Sequence, residues 1–246
     1  MEPWQLRPAA DHGLSLRQQL TSLRRESGLI GTCGHLAWQG WIRSYLRLYH
    51  RLAVSGRQLL PAAPPIVLVA NHSSHLDALT LSAALPLRWC DRVFPIAAAD
   101  TFFTGLPSAG FAVLALNALP LQRRRAGPAA IAELRRRLVE ERAIYILFPE
   151  GTRSRDGRMA PFKPGLGPLI AGTDVPVVPC RLEGTFAALP PHRRWPRPGR
   201  LALTIGEPLR FAGTADDRAG WEEIAAATEA AVRGLGAEPP RRAGPA

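Results

Sequence analysis

His72 and Asp77 are the residues of this chain whose types and spacing most directly offer chemistry; they stand five positions apart in VANHSSHLDAL, residues 69–79. An imidazole takes a hydroxyl proton near neutral pH, and a carboxylate on its other ring nitrogen fixes the tautomer and stabilises the imidazolium as it forms. On that reading His72 is a general base and Asp77 its partner. A substrate hydroxyl within roughly 2.6–3.2 Å of His72 would then gain on the order of 10²- to 10⁴-fold in rate. The spacing alone also fits a hydrogen-bonded loop, with Ser73, Ser74 and His75 as simple loop-capping residues.

A second group lies at residues 149–158, PEGTRSRDGR. Gly151 supplies backbone freedom, Thr152 and Ser154 supply hydroxyls, and Arg153, Arg155 and Arg158 supply forked cations suited to phosphate. Each group follows a short apolar run. Residues 66–70 (IVLVA, after Pro65) and 143–148 (AIYILF) read as buried strands, being strand-length and rich in branched residues. From Asp77 a new apolar stretch (Ala78, Leu79, Leu81, Ala83, Ala84, Leu85) is compatible with a helix. The histidine therefore belongs to a strand-to-helix loop, where α/β proteins tend to place ligands.

Two strands ending in NHSSHLD and FPEGTRS resemble the first and third signature blocks of the glycerolipid acyltransferases, the family that includes the 1-acylglycerol-3-phosphate acyltransferases. The resemblance implies that His72 is the base and Asp77 its partner, and that Glu150, Gly151, Thr152 and Arg153 help bind a phosphate-bearing acceptor. NALPLQR, residues 117–123, is similar to the second block, whose terminal arginine contacts phosphate and would be Arg123. Asn117 stands where glycine is usual, Gln122 where aspartate is frequent, and no lysine occurs near Asp100, where many relatives carry one. VPVVPC, residues 175–180, resembles the fourth block, a strand bordering the acyl site. The blocks occur in the right order across residues 52–210.

What the resemblance implies is transfer of a fatty acyl group from acyl-CoA or acyl carrier protein to the free hydroxyl of a lysophospholipid. The simplest acceptor is 1-acyl-sn-glycerol-3-phosphate, giving phosphatidate. No covalent acyl-enzyme, metal or cofactor is needed. Another lysolipid, such as a lyso-aminolipid, is an alternative acceptor. A hydrolase using the same His and Asp on a thioester or lipid ester, and a non-catalytic lipid-binding protein, are the readings from other classes.

Composition fits one sizeable core: 246 residues, 46% hydrophobic, with a net charge of +11. Lys163 is the only lysine, so the basic excess is carried by arginine. Such an excess suggests an anionic partner, the alternative being a compositional bias toward arginine. No nucleic-acid motif is present and the arginines gather near the presumed phosphate loops, which favours a membrane surface over nucleic acid. Cys33, Cys90 and Cys180 are widely spaced and odd in number, which points to a reducing compartment and to Cys180 as a structural thiol. His12, His35, His50 and His192 form no ligand pattern with them, so no metal is expected. The N-terminus lacks the apolar core of a signal peptide, and the longest apolar candidate, residues 109–121, is too short to span a bilayer. The expectation is a peripheral protein on the cytoplasmic face of the cell membrane.

The elements that must position these groups divide the chain into an N-terminal helical, membrane-associating extension (1–53), a catalytic domain (54–235) and a disordered tail (236–246). Residues 15–26 could form a polar helix. Over 35–53, at 100° per residue, Trp38, Trp41, Ile42, Tyr45, Leu48, Tyr49 and Leu52 share one face and Arg43, Arg47, His50 and Arg51 the other. That pattern suits an interfacial anchor, or a helix packed on the catalytic domain with solvated cations. Further helices are expected at 128–142, 165–171 and 216–234, and further strands at 93–98, 175–179 and 201–205. Phe102, Phe103 and Phe111 read as core or as the lining of an acyl tunnel. The loop 189–200, LPPHRRWPRPGR, is Pro-rich and basic, carries Trp195, and reads as an exposed loop or as a contact for membrane or carrier. Alternation of strands and helices predicts an α/β fold with a mixed, largely parallel central sheet flanked by helices.

Overall fold

A computed structural model describes residue 22 and residues 29–98, 117–121 and 127–236. Within them, β1 (Ala53–Ser55), β2 (Ile66–Ala70), β3 (Val93–Ala98), β4 (Leu119–Leu121), β5 (Ile144–Leu147), β6 (Val177–Glu183) and β7 (Ala202–Ile205) form one sheet in the order β1-β7-β6-β2-β5-β3-β4. Every neighbouring pair is parallel except β6 with β7. The helices are α1 (Leu29–Leu48), α2 (Leu76–Ala84), α3 (Pro128–Val139), α4 (Gly167–Ile170), α5 (Thr185–Ala188) and α6 (Arg218–Gly234). This is the mixed, largely parallel sheet flanked by helices that the alternation predicts.

β2 is central because all five of its side chains are apolar and all are buried. Val67 and Val69 face a core shared with Leu134 and Leu138 of α3, Leu169 and Ile170 of α4 and Ile224 and Val232 of α6. Ile66, Leu68 and Ala70 face the opposite layer, with Leu81 and Ala84 of α2 and with Trp89. A parallel strand covered on both faces reads as a continuous apolar run, which is why its sequence shows no alternation. Burial of this kind makes a truncation such as Leu134→Ala cost about 2–5 kcal/mol.

Several boundaries differ from expectation. β6 begins at Val177 and runs on to Glu183, past the expected 175–179. Pro179 is tolerated in this central strand because its carbonyl, and hence its missing N–H, faces β7 beyond the last β7 pair, Cys180 with Ile205; Gly206 N donates to Pro179 O at 2.9 Å. The three-residue strands β1 and β4 were not foreseen, because each is short and its partner, β7 or β3, is distant in sequence. In α3, Leu134 and Leu138 are buried and Val139 is exposed. Glu133 pairs with Arg136 at 3.0 Å, and Arg137 is buried over the Phe94 ring and bonds Glu141 at 2.9 Å. The expected helix at 165–171 is a 3-10 turn, Pro164–Leu166, leading into α4.

α1 starts at Leu29 and packs Ile42 and Leu46 onto Leu76, Leu79 and Ala83 of α2. The two-faced wheel is only partly right. Leu48, placed on the apolar face, is 79% exposed, whereas His50, placed on the polar face, is fully buried with its Nε2 3.0 Å from the Tyr45 hydroxyl. Arg43 reaches inward to donate to Leu85 O at 2.6 Å. The aromatic residues Trp38, Trp41, Tyr45 and Tyr49 form a stacked row along one flank, with successive ring centroids 5.1, 5.6 and 5.3 Å apart. No helix among the described residues is long and apolar enough to cross a membrane. The expected helix at 15–26, Asp100, the phenylalanines at 102, 103 and 111, Arg123 and the tail beyond Gly236 lie outside the described residues.

Candidate active site

The sheet brings the two chemical groups together because β2 and β5 are adjacent and parallel. Their C-terminal ends open side by side, one into the His72 loop and the other into the turn around Glu150. Neighbouring strand ends of this kind form the crevice in which open α/β sheets bind ligands.

The loop after β2 is fixed from several directions. Asn71 locks it to β6, its Nδ2 donating to Leu182 O at 2.9 Å and its Oδ1 accepting from Leu182 N at 2.8 Å. Ser74 Oγ donates to Leu189 O at 2.8 Å. Asp77 occupies the first turn of α2, where the helix dipole favours a negative charge. Its Oδ2 accepts from the backbone N–H groups of Ser73 and Ser74 at 2.7 and 2.8 Å and lies 2.9 Å from His72 Nδ1. A fully buried carboxylate is costly unless such donors offset its lost hydration.

With Nδ1–H donated to Asp77, His72 presents Nε2 as an acceptor, the tautomer a general base requires. The ring is also held by stacking on Phe148, centroids 4.1 Å apart and planes 15° from parallel. The sequence reading missed Phe148 as a site residue. Its position directly after the β5 run was the available signal.

Glu150 is 3% exposed, and both of its oxygens are taken by backbone. Oε1 accepts from His72 N at 2.7 Å and Oε2 from Ala160 N at 2.9 Å. Burial raises its pKa, against the pull of these two hydrogen bonds. Ser154 N in turn donates to His72 O at 2.8 Å, so the third block grips the first through main chain on both sides of the histidine. Gly151 turns the chain with φ +76°, in the left-handed region that favours glycine, and the Lys163 ammonium lies against it. Thr152 is exposed. Arg153 is half-buried and its guanidinium contacts His75 Nε2. Desolvation first, then the Arg153 charge, lower the pKa of His75 to about 4, although the residue as a whole is exposed. A neutral His75 thus accepts from Arg153, and Arg153 carries the charge at this place.

The departure at Asn117 has a backbone reason. Asn117 is buried with φ +51°, a conformation that glycine takes freely and asparagine best tolerates among the rest. Burial pushes the Cys180 thiol up, which fits a structural role. Among the described residues no cluster of three or more His, Cys, Asp or Glu is placed to hold a metal ion.

Comparison with known proteins agrees with this geometry. The 1-acyl-sn-glycerol-3-phosphate acyltransferase alpha of Mus musculus is 33% identical over 171 residues, 68% of this chain and 58% of that protein. The chloroplastic 1-acyl-sn-glycerol-3-phosphate acyltransferase BAT2 of Brassica napus is 32% identical over 63% of this chain and 44% of its own length. The match thus spans about half the length of these curated relatives. The crystal structure of the 1-acyl-sn-glycerophosphate (LPA) acyltransferase PlsC from Thermotoga maritima superposes with a TM-score of 0.62 at 28% identity, covering 83% of this chain and 78% of that one. The family described as Acyltransferase matches residues 51–183, more than half of the chain and both loops of the site, and the chain belongs to that family.

Proposed function

We propose that this protein is an O-acyltransferase that moves a fatty acyl group from an acyl thioester to the free hydroxyl of a lysophospholipid, with 1-acyl-sn-glycerol-3-phosphate as acceptor and phosphatidate as product. The observation that carries this reading is the His72–Asp77 pair, 2.9 Å apart with the ring pinned on Phe148, at the crevice of a chain in the acyltransferase family. The names of the relatives support the acceptor.

The acceptor hydroxyl gives its proton to His72 Nε2 as its oxygen forms a bond to the thioester carbon. Asp77 stabilises the imidazolium. The C–S bond then breaks, and the proton passes from His72 to the departing thiolate, so the base is regenerated. Arg153, with Thr152 and Arg123, holds the acceptor phosphate. The donor is acyl-CoA or acyl carrier protein, and the reaction draws on no cofactor.

The setting we propose is the cytoplasmic face of the cell membrane, with the domain at 54–235 carrying the chemistry and residues 1–53 meeting lipid. Exposed Trp41 and Leu48 on α1 and Tyr49 just past its end, with exposed Arg47 and Arg51 beside them, support a membrane surface as partner.

The test is thiol release from palmitoyl-CoA by the purified protein, with and without lysophosphatidate, the lipid product being identified by mass. Acceptor-dependent release with phosphatidate formed is the expected result. Release without acceptor makes the protein a hydrolase, and acceptor-dependent release only with another lysolipid moves the assignment to that acceptor.

A further inference from the structure

Beside the His72 loop lies a cavity of about 210 Å³ that the chemistry above does not use. Asn71 and Ser73, the neighbours of His72 in sequence, line it together with Gly157, Arg181, Thr185 and Phe186. Most polar groups of this lining already have partners. The Asn71 amide is consumed by the Leu182 backbone, at 2.9 and 2.8 Å. Ser73 Oγ and Thr185 Oγ1 bond each other at 3.2 Å.

Arg181, near the end of β6, is different. Its Nε is buried without a hydrogen-bond partner among the described residues. Its Nη1 reaches only the Met159 thioether, at 3.4 Å, and thioether sulfur is a weak acceptor. The nearest carboxylate, Glu183 on an exposed side chain that also lines the cavity, stands 4.0 Å from Nε, beyond hydrogen-bonding reach. The Arg181 side chain is only 24% exposed. A part-buried guanidinium loses hydration that only an oxygen anion or several acceptors restore, and its planar fork matches phosphate.

The two cations stand at different parts of the His72 loop, Arg153 at His75 and Arg181 at Asn71 and Ser73. The proposed reaction has two substrates, and each carries phosphate: the lysolipid as a phosphomonoester, the donor on its phosphopantetheine arm. One cationic site accounts for one of them. We propose that Arg181 and this cavity form a second anion site, which takes the phosphate of one of the two substrates. The assignment rests on the acyl-transfer reading above.

The experiment is titration calorimetry of the full chain and its Arg181→Ala and Arg181→Lys variants with two probes, coenzyme A and a short-chain lysophosphatidate below its micelle concentration. The expected result is that Arg181→Ala weakens one probe by about tenfold or more and leaves the other nearly unchanged, while Arg181→Lys, which keeps the charge but not the planar fork, gives a smaller loss for the same probe. Loss for coenzyme A assigns the site to the donor, and loss for lysophosphatidate assigns it to the acceptor. Unchanged affinity for both probes overturns the proposal, as does a wild-type chain that binds neither. Equal losses in both variants with a lowered Tm make Arg181 a packing residue and overturn it too. A wild-type chain that binds both probes but releases no thiol with any lysolipid refutes the acyl-transfer reading, and the titrations still decide Arg181.

Discussion

The backbone N–H of His72 donates to Glu150 Oε1 at 2.7 Å, so the proposed base is positioned by the loop of a different strand. Glu150 sits in the block that resemblance allots to acceptor binding, yet both of its oxygens hold main chain, at His72 and at Ala160. In the proposed reaction its carboxylate would therefore act through the position of His72.

Glu150→Gln is therefore expected to lower kcat far more than it raises the acceptor KM. Glutamine keeps one acceptor oxygen but turns an amide toward the second N–H, leaving a buried donor unsatisfied at a cost of about 1–3 kcal/mol. Steady-state kinetics together with a thermal melt check this, and a variant changed only in acceptor KM would return Glu150 to substrate binding.

His72→Ala is expected to abolish transfer while the chain stays folded, because the side chain's contacts are the stack on Phe148 and the bond to Asp77. Asp77→Asn is expected to cost roughly 10²- to 10⁴-fold in kcat, because an amide in this place no longer enforces the tautomer. Circular dichroism and thiol release on the same samples separate loss of chemistry from loss of fold. Turnover by folded His72→Ala removes the base assignment.

Arg153→Ala is expected to raise the acceptor KM with little change in kcat, the signature of uniform binding. His75, which contacts the Arg153 guanidinium, helps set its direction, so His75→Ala should give a smaller rise in the same parameter. Falling kcat at constant KM would place Arg153 in the chemical step instead.

His50 supplies a pH dependence of stability. It is fully buried and its Nδ1 has no hydrogen-bond partner among the described residues. Burial lowers its pKa below the ordinary 6.5. As pH falls through that value the unfolded chain gains a proton that the folded chain resists, so this site destabilises the fold progressively from about pH 6.5 downward. Denaturant melts between pH 7.5 and 5 should show a smaller fall in stability for His50→Gln than for the wild type. Parallel curves for the two proteins would mean that His50 titrates freely.

The legible parts of this molecule are those in which a local pattern carries the whole constraint. IVLVA and IYIL read as buried strands because each is covered on both faces, and the His72–Asp77 contact needs only a strand end and the first turn of a helix five residues on. What stayed hidden depends on partners distant in the chain. The three residues of β1 are a strand only because β7, almost 150 positions later, pairs with them. His50 is not on the polar face because α1 ends at Leu48, and beyond that end its ring packs edge-on against Tyr45 and Tyr49. Arg181 looked like one arginine among many until β6 placed it beside a cavity.

The outer flank of α1 tests the membrane reading. Trp41 and Leu48 are 57% and 79% exposed, and Trp195 is 81% exposed on the Pro-rich loop that Tyr49 tethers through its hydroxyl to Pro196 O at 3.2 Å. These side chains contribute little to the core, so replacing them should leave the melt nearly unchanged. Arg47, Arg51, Arg194 and Arg197 are exposed on the same two segments, which makes attraction to an anionic surface the companion force. Trp41→Glu with Leu48→Glu is expected to reduce co-sedimentation with phosphatidylglycerol vesicles by about tenfold, since apolar burial and charge attraction both suffer. Trp195→Ala is expected to give a smaller loss. Raising the salt concentration should weaken the wild type as well, because the arginine contribution is screened. Vesicle binding that survives all three substitutions at high salt would place the lipid contact on another face of the protein.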